Sequence, residues 1–228
     1  MAQEKYVAYV GTYTHENSIG IHVYDIDMEK GKLTERSVAP ISNPSNIAVA
    51  HSGKYLYSIE DEGVASFSID ENGDLTKINQ AWIGGMRACY VEIDSNDRYL
   101  FLAGFHDGKV TMMRLNEDGS IAGIADGVFH QGVGKSSVEK RMDPRVSCTK
   151  LTPDEKYLCA VDWGLNQIKI YEVDYEEGKL HLYDILRFPF NSAPRRIRFS
   201  KDGKFAYVLE ETTNMVDIYT YDLREGKP

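Results

Sequence analysis

An all-β fold, a β-propeller built of four-stranded antiparallel blades, is predicted by three features of this 228-residue sequence. A segment made of a polar turn, a basic residue, an aromatic and an apolar run recurs four times. A second segment, alternating apolar and polar residues, follows each copy. No stretch carries a helical period that competes with either. Fifteen Tyr strengthen the strand bias. Units of about 45 residues holding four strands each are the pattern of propeller blades. An irregular β-sandwich is the poorer reading, because it would not keep five units in phase.

The first segment reads "SGKYLYSIE" (Ser52–Glu60), "SNDRYLFLA" (Ser95–Ala103), "TPDEKYLCAV" (Thr152–Val161) and "SKDGKFAYVLE" (Ser200–Glu210). Its aromatics, Tyr55, Tyr99, Tyr157 and Phe205, are spaced by 44, 58 and 48 residues. This is strand B of each blade, opened by a tight turn. The alternating segment is strand C: "IGIHVYDID" (Ile19–Asp27), "GVASFSID" (Gly63–Asp70), "GKVTMMRLN" (Gly108–Asn116), "QIKIYEVD" (Gln167–Asp174) and "MVDIYTYD" (Met215–Asp222). Hairpin turns "EKGKL", "ENGDL", "EDGSI" and "EEGKL" open strand D. Short apolar segments before B supply the innermost strand A: "SNIAVA" (Ser45–Ala50), "ACYVEI" (Ala88–Ile93), "VSCTKL" (Val146–Leu151) and "RRIRFS" (Arg195–Ser200).

The chain therefore reads as one propeller domain over residues 1–228. Blade one (5–40) lacks strand A, blade two spans 44–84, blade three 88–124, blade four 145–188, and blade five is partial (194–222). The long spacing between Tyr99 and Tyr157 places a loop at 125–144. The surrounding stretch Val128–Ser147, "VFHQGVGKSSVEKRMDPRVS", is rich in Gly, Ser, Lys and Arg. A repeat scaffold with one enlarged loop marks where function sits.

Composition narrows the function. A formal charge of −9 without a basic patch argues against nucleic acid and anionic membranes. Three cysteines, Cys89, Cys148 and Cys159, with no paired spacing, fit a reducing compartment better than disulfides or zinc. The N-terminus carries no secretion signal and no apolar run is long enough to span a bilayer, so a cytoplasmic protein is expected. No metal-ligand spacing and no cofactor motif stand out; Lys135-Ser136-Ser137 lacks the strand–loop–helix setting of a phosphate-binding loop.

Strand topology gathers the start of A, the end of B and the start of C at one face. On it fall Arg145, Ser147, Arg195, Arg196, Glu60, His106, Asp162, Asn166, Glu210 and Glu211. The 125–144 loop adds His130, Lys135 and Arg141. Guanidinium forks suit carboxylates and phosphates. Clustered arginines in an acidic protein therefore read as a site for a small anion.

The motifs "YVGTYT", "NPSNIAVAHSGKYLYSIED", the H-x-G-x-G loop from His130, "RMDP" and "APRRIRFSKDGKFAYVLEE" resemble the lactonase family of seven-bladed propellers. That family includes a 6-phosphogluconolactonase type and the fungal carboxy-muconate lactonising enzymes. The resemblance implies seven blades, of which about four and a half are present, so a fragment of a longer protein is expected. It implies hydrolysis of a sugar lactone, 6-phosphogluconolactone foremost, in the pentose phosphate pathway and without a cofactor. Arg195, Glu211 and Arg145 would be catalytic. His130, Arg141, Ser147, Arg196, Glu60 and Asp162 would bind a small anionic lactone or sugar phosphate. Three motifs differ here, the first being A-N-Y after strand B of blade three, which stands as Ala103-Gly104-Phe105. The P-H-x-H pattern stands as Pro144-Arg145-Val146-Ser147, and G-P-R-H as Ala193-Pro194-Arg195-Arg196, so the imidazoles implied at 145 and 147 are absent. Other readings stay open: a structural Arg195–Glu211 ion pair, a non-catalytic propeller that binds an anionic metabolite or a protein, and a muconate-type cycloisomerase.

Overall fold

The computed structural model describes residues 6–131 and 143–222. These form five antiparallel sheets, and none of the described residues is helical. The first sheet holds β1 (Tyr6–Val10), β2 (Gly20–Asp27) and β3 (Lys32–Pro40). The second holds β4 (Ile47–Val49), β5 (Tyr55–Glu60), β6 (Gly63–Ile69) and β7 (Leu75–Ala81). The third holds β8 (Tyr90–Ile93), β9 (Tyr99–Gly104), β10 (Lys109–Leu115) and β11 (Ile121–Phe129). The fourth holds β12 (Val146–Leu151), β13 (Tyr157–Asp162), β14 (Gln167–Asp174) and β15 (Lys179–Arg187). The fifth holds β16 (Pro194–Phe199), β17 (Phe205–Glu210) and β18 (Met215–Thr220). Every sheet is a meander. Strands β4, β8, β12 and β16 stand side by side at the inner edge, which makes the sheets blades of a propeller.

One boundary differs from the sequence reading. The outer strand β11 runs on to Phe129, which pairs with Lys109. Residues 125–129, expected to open the loop, complete the third blade instead.

Burial explains the two strand signatures. Neighbouring blades sandwich the B strands, so all six residues of β9 and of β13 are buried. A strand covered on both faces reads as a continuous apolar run and shows no alternation. Fully buried Phe101 and Leu102 contribute on the order of 1.5–3 kcal/mol each. In β17 burial alternates instead, because no described residue covers one face of the fifth sheet. Tyr207, Leu209, Val216 and Ile218 are exposed there.

The A-to-B turns carry a blade-to-blade tie. One turn position holds Gly53, Asp97, Glu155 and Gly203 in successive blades, all with positive φ. Glycine is the natural residue in that region, and a side chain there is strained. Asp97 and Glu155 offset the strain with contacts. The Asp97 carboxylate accepts the backbone N–H of His51 (2.7 Å) and Ser52 (2.9 Å) from the preceding blade. Glu155 likewise accepts the N–H of Ser95 at 2.7 Å and its hydroxyl at 2.8 Å. At the next junction the equivalent positions hold Gly203, which has no side chain to accept, and Pro153, which has no N–H to offer.

Two β-bulges set the inner strands. The pairing of β12 with β13 slips between Val146 and Cys148, leaving Ser147 as the extra residue. Pairing of β16 with β17 slips at the equivalent place, leaving Arg195. A bulge re-aims its side chain relative to strict alternation.

Candidate active site

The site is built from one structural position repeated in successive blades, the first residue past strand B. It is Phe105 after β9, Trp163 after β13 and Glu211 after β17. The rings of Phe105 and Trp163 lie 5.9 Å apart, and the Trp163 indole N–H donates to Glu211 Oε2 at 2.6 Å. Two guanidiniums cap this row. Arg145 Cζ lies 5.2 Å and Arg195 Cζ 5.3 Å from the Phe105 centroid, both within cation–π range.

Arg195 also pairs with Glu211 Oε2 at 3.6 Å; the two side chains are 36% and 51% exposed. Both contacts of the carboxylate fall on Oε2, and Oε1 has no partner among the described residues. No described carboxylate pairs with the Arg145 guanidinium. Its backbone, by contrast, is fixed on both sides. Its N–H donates to Asp162 Oδ1 (2.9 Å) and its carbonyl accepts the Trp163 N–H (2.9 Å).

Sequence reasoning placed Arg145, Arg195 and Glu211 on one face, and the structure brings them together. Five other expected contacts are corrected. His130 and Asp162 are 0% exposed at the side chain, so neither can touch a ligand. They face each other at 2.7 Å, with the His130 Nδ1–H donating and Tyr171 O–H closing on Nε2 at 3.1 Å. Burial pushes the His130 imidazole below its ordinary pKa, against the pull of Asp162. Glu60 is 7% exposed and turns outward to Lys77 of β7 at 3.6 Å. Ser147 is buried, and its hydroxyl donates to the Arg195 carbonyl at 2.9 Å. Arg196 departs from its neighbour Arg195: its Cζ stacks 5.0 Å from the Tyr90 ring, and its Nη1 donates to the Ser147 carbonyl. Lys135 and Arg141 lie outside the described residues.

The cysteines supply no nucleophile. Cys148 is buried and its thiol is raised by burial; Cys89 is pushed up to about 11 and Cys159 to about 12 for the same reason. Among the described residues no group of three His, Cys, Asp or Glu side chains is placed to hold a metal ion. No helix among them is long and apolar enough to cross a membrane.

Neither Phe105 nor Trp163 is among the site residues expected from the sequence, where Phe105 figures only as a departure from the A-N-Y pattern. The signal was present in the repeat phase, since both occupy the position of Glu211 in their own blades.

A family model described as "Lactonase, 7-bladed beta-propeller" matches residues 7–227. The chain is 34% identical over 229 residues to a 6-phosphogluconolactonase of Bacillus subtilis, covering 98% of this chain and 64% of the relative. Among solved structures it is similar to the periplasmic gluconolactonase PpgL of Pseudomonas aeruginosa. That match has TM-score 0.86 and 29% identity, over 96% of this chain and 64% of that one. A Bacteroides fragilis structure gives TM-score 0.85 and 28% identity, over 96% and 64%. The chain thus spans a little under two thirds of the length of these relatives.

Proposed function

This chain belongs to the lactonase family of seven-bladed β-propellers, and from that premise we propose that the protein hydrolyses a sugar lactone, with 6-phosphogluconolactone as substrate. The observation that carries the reading is the Arg195–Glu211 pair, which leaves Oε1 open to water beside an Arg145 guanidinium with no described carboxylate partner. Glu211 takes a proton from water as the water oxygen bonds to the lactone carbonyl carbon. Arg195 stabilises the oxyanion that forms. Collapse breaks the ring C–O bond, and the leaving ring oxygen takes the proton back from Glu211. Arg145 holds the anionic end of the substrate. Three free thiols, all resting in buried or half-buried positions, support a reducing compartment, and we propose the cytoplasm.

The test is the hydrolysis of 6-phosphogluconolactone by purified protein against the spontaneous rate. Acceleration that vanishes in Arg195→Ala supports the reading; a rate equal to the spontaneous one removes it. A second reading, anion binding without turnover, draws on Ser147. It stands where the resemblance implies an imidazole, and its hydroxyl is committed to the Arg195 carbonyl. Saturable binding of 6-phosphogluconate with no lactone turnover favours it.

A further inference from the structure

Asp162 lies outside the row of residues that faces solvent, yet it touches everything that holds the row in place. It ends β13, where the B strands of blades two, three and five end in Glu60, Gly104 and Glu210. A short side chain with an acceptor oxygen there can fold back onto its own turn. Oδ1 accepts three backbone N–H groups: Gly164 (3.1 Å) and Leu165 (3.0 Å) from the turn to β14, and Arg145 (2.9 Å) from the start of β12. Oδ2 takes the His130 Nδ1–H at 2.7 Å. Four donors satisfy a carboxylate with no exposed surface. The glutamates at the equivalent ends bond elsewhere, Glu60 to Lys77 and Glu210 to the Thr213 hydroxyl.

What these contacts fix is the site. The turn that Asp162 closes carries Trp163. The backbone N–H of Trp163 donates to the Arg145 carbonyl, and its indole N–H donates to Glu211. Arg145 is thus clamped between Asp162 on its N–H and Trp163 on its C=O. His130 closes the arrangement from the far end of the chain segment, directly after β11, with its own N–H on the Gly108 carbonyl at 2.8 Å. A continuous path runs from His130 through Asp162 to Arg145 and Trp163, and on to Glu211 and Arg195.

We propose that Asp162 is a positioning residue of this site: its buried carboxylate, held by His130, sets the Arg145 guanidinium and the Trp163–Glu211 hydrogen bond together, without touching substrate. The kinetic half of this proposal rests on the lactonase reading; the structural half does not.

The experiment uses the full-length protein in a Trp82→Phe background, so that Trp163 is the one tryptophan of this chain. Trp82 is exposed. Expected for Asp162→Ala is a red shift of Trp163 emission without substrate, with kcat for the lactone lowered at least tenfold. Adding Glu211→Gln should then cost less than Glu211→Gln does alone, since a Glu211 already displaced by Asp162→Ala has less base activity to lose. Asp162→Asn keeps the Oδ1 acceptor and should restore emission towards wild type. In the unmutated protein, the amides of Arg145, Gly164 and Leu165 should resist hydrogen exchange although they lie outside strands, which decides the matter if Asp162→Ala does not fold. Free exchange of those amides, or unchanged emission with additive kinetic effects, overturns the proposal. An emission shift in a protein that turns over no lactone keeps Asp162 as the positioning residue and removes the lactonase reading alone.

Discussion

Replacing Glu211 by Gln separates chemistry from stability more sharply than any other change in this site. The carboxylate accepts the Trp163 indole at 2.6 Å and faces Arg195 at 3.6 Å, with both ion-pair partners well exposed. Exposed pairs of this kind are worth about 0–1 kcal/mol once solvent screening is counted. Gln retains an acceptor oxygen for the indole, so the folding cost should stay below about 1 kcal/mol, or about 2–4 °C in Tm. The chemical cost is of another order. An amide cannot take the proton of an attacking water, and loss of a general base lowers rates by roughly 10²–10⁴-fold. A pH-stat assay of lactone hydrolysis, run beside a thermal melt, reads both quantities on one sample. The expected result is a hundredfold or larger fall in kcat with a nearly unmoved melt. A kcat within threefold of wild type would show that Glu211 does no proton work, and the Arg195–Glu211 pair would then be structural.

Further changes probe other parts of the argument. Arg145→Ala should raise KM for a phosphorylated lactone at least tenfold and leave KM for its neutral counterpart within about twofold, because this guanidinium caps the row with no described carboxylate paired to it; equal effects on both substrates would deny Arg145 an anion-holding role. Asp97→Ala should destabilise by about 1–2 kcal/mol in urea unfolding, since it removes two backbone contacts and leaves Ala at φ 55. Asp97→Gly should cost less, as Gly53 and Gly203 already fill that turn position; the reverse order would refute the tie. Stability should also fall on acidification. The folded pKa of His130 is lowered from 6.5 by burial, so below about pH 6.5 the unfolded chain takes up the proton first. The His130 contribution is complete above that pH and is lost towards the lowered folded value. His130→Asn should flatten this part of the slope in denaturant titrations between about pH 7.5 and 5, and an unchanged slope would exclude His130 as its source.

The blades were legible because each B strand announces itself twice, by a polar turn and by an unbroken apolar run. The end of the third blade was not. "GIADGVF" has the composition of a loop, yet its Gly127 sits in a strand, where a Cβ would meet the Lys109 side chain at 2.9 Å. Lys109 instead lies across the strand, its Nζ donating to the carbonyls of Ile83 (2.9 Å) and Gly84 (2.7 Å) and resting 5.1 Å from the Phe129 ring. Face membership was legible too, since it follows from meander topology alone. The direction of each side chain was not, and Glu60, His130 and Asp162 show why. Their types invite a functional reading, but burial assigns them to Lys77 and to each other. Sequence carries the type of a residue and its phase in the repeat; depth below the surface depends on how two blades meet.

The two bulges explain how a site arises from strands that elsewhere repeat. In strict alternation Arg195 and Ile197 would share a face. The slip at Arg195 turns it to Phe105 and Glu211, while Arg196 goes to Tyr90 and the Ser147 carbonyl. The slip at Ser147 places its hydroxyl on the Arg195 carbonyl, so the bulge of one blade holds the bulge of the next. The same region carries the chain's departures from the family pattern. Where the resemblance implies imidazoles at 145 and 147, the site carries a guanidinium and a hydroxyl. Two cations now oppose one carboxylate within a chain of formal charge −9. A locally positive site in an acidic protein repels anions least where the arginines stand and concentrates them there. That electrostatic contrast favours a substrate with a fixed negative group over a neutral lactone, and it does so before any contact with the ring is made.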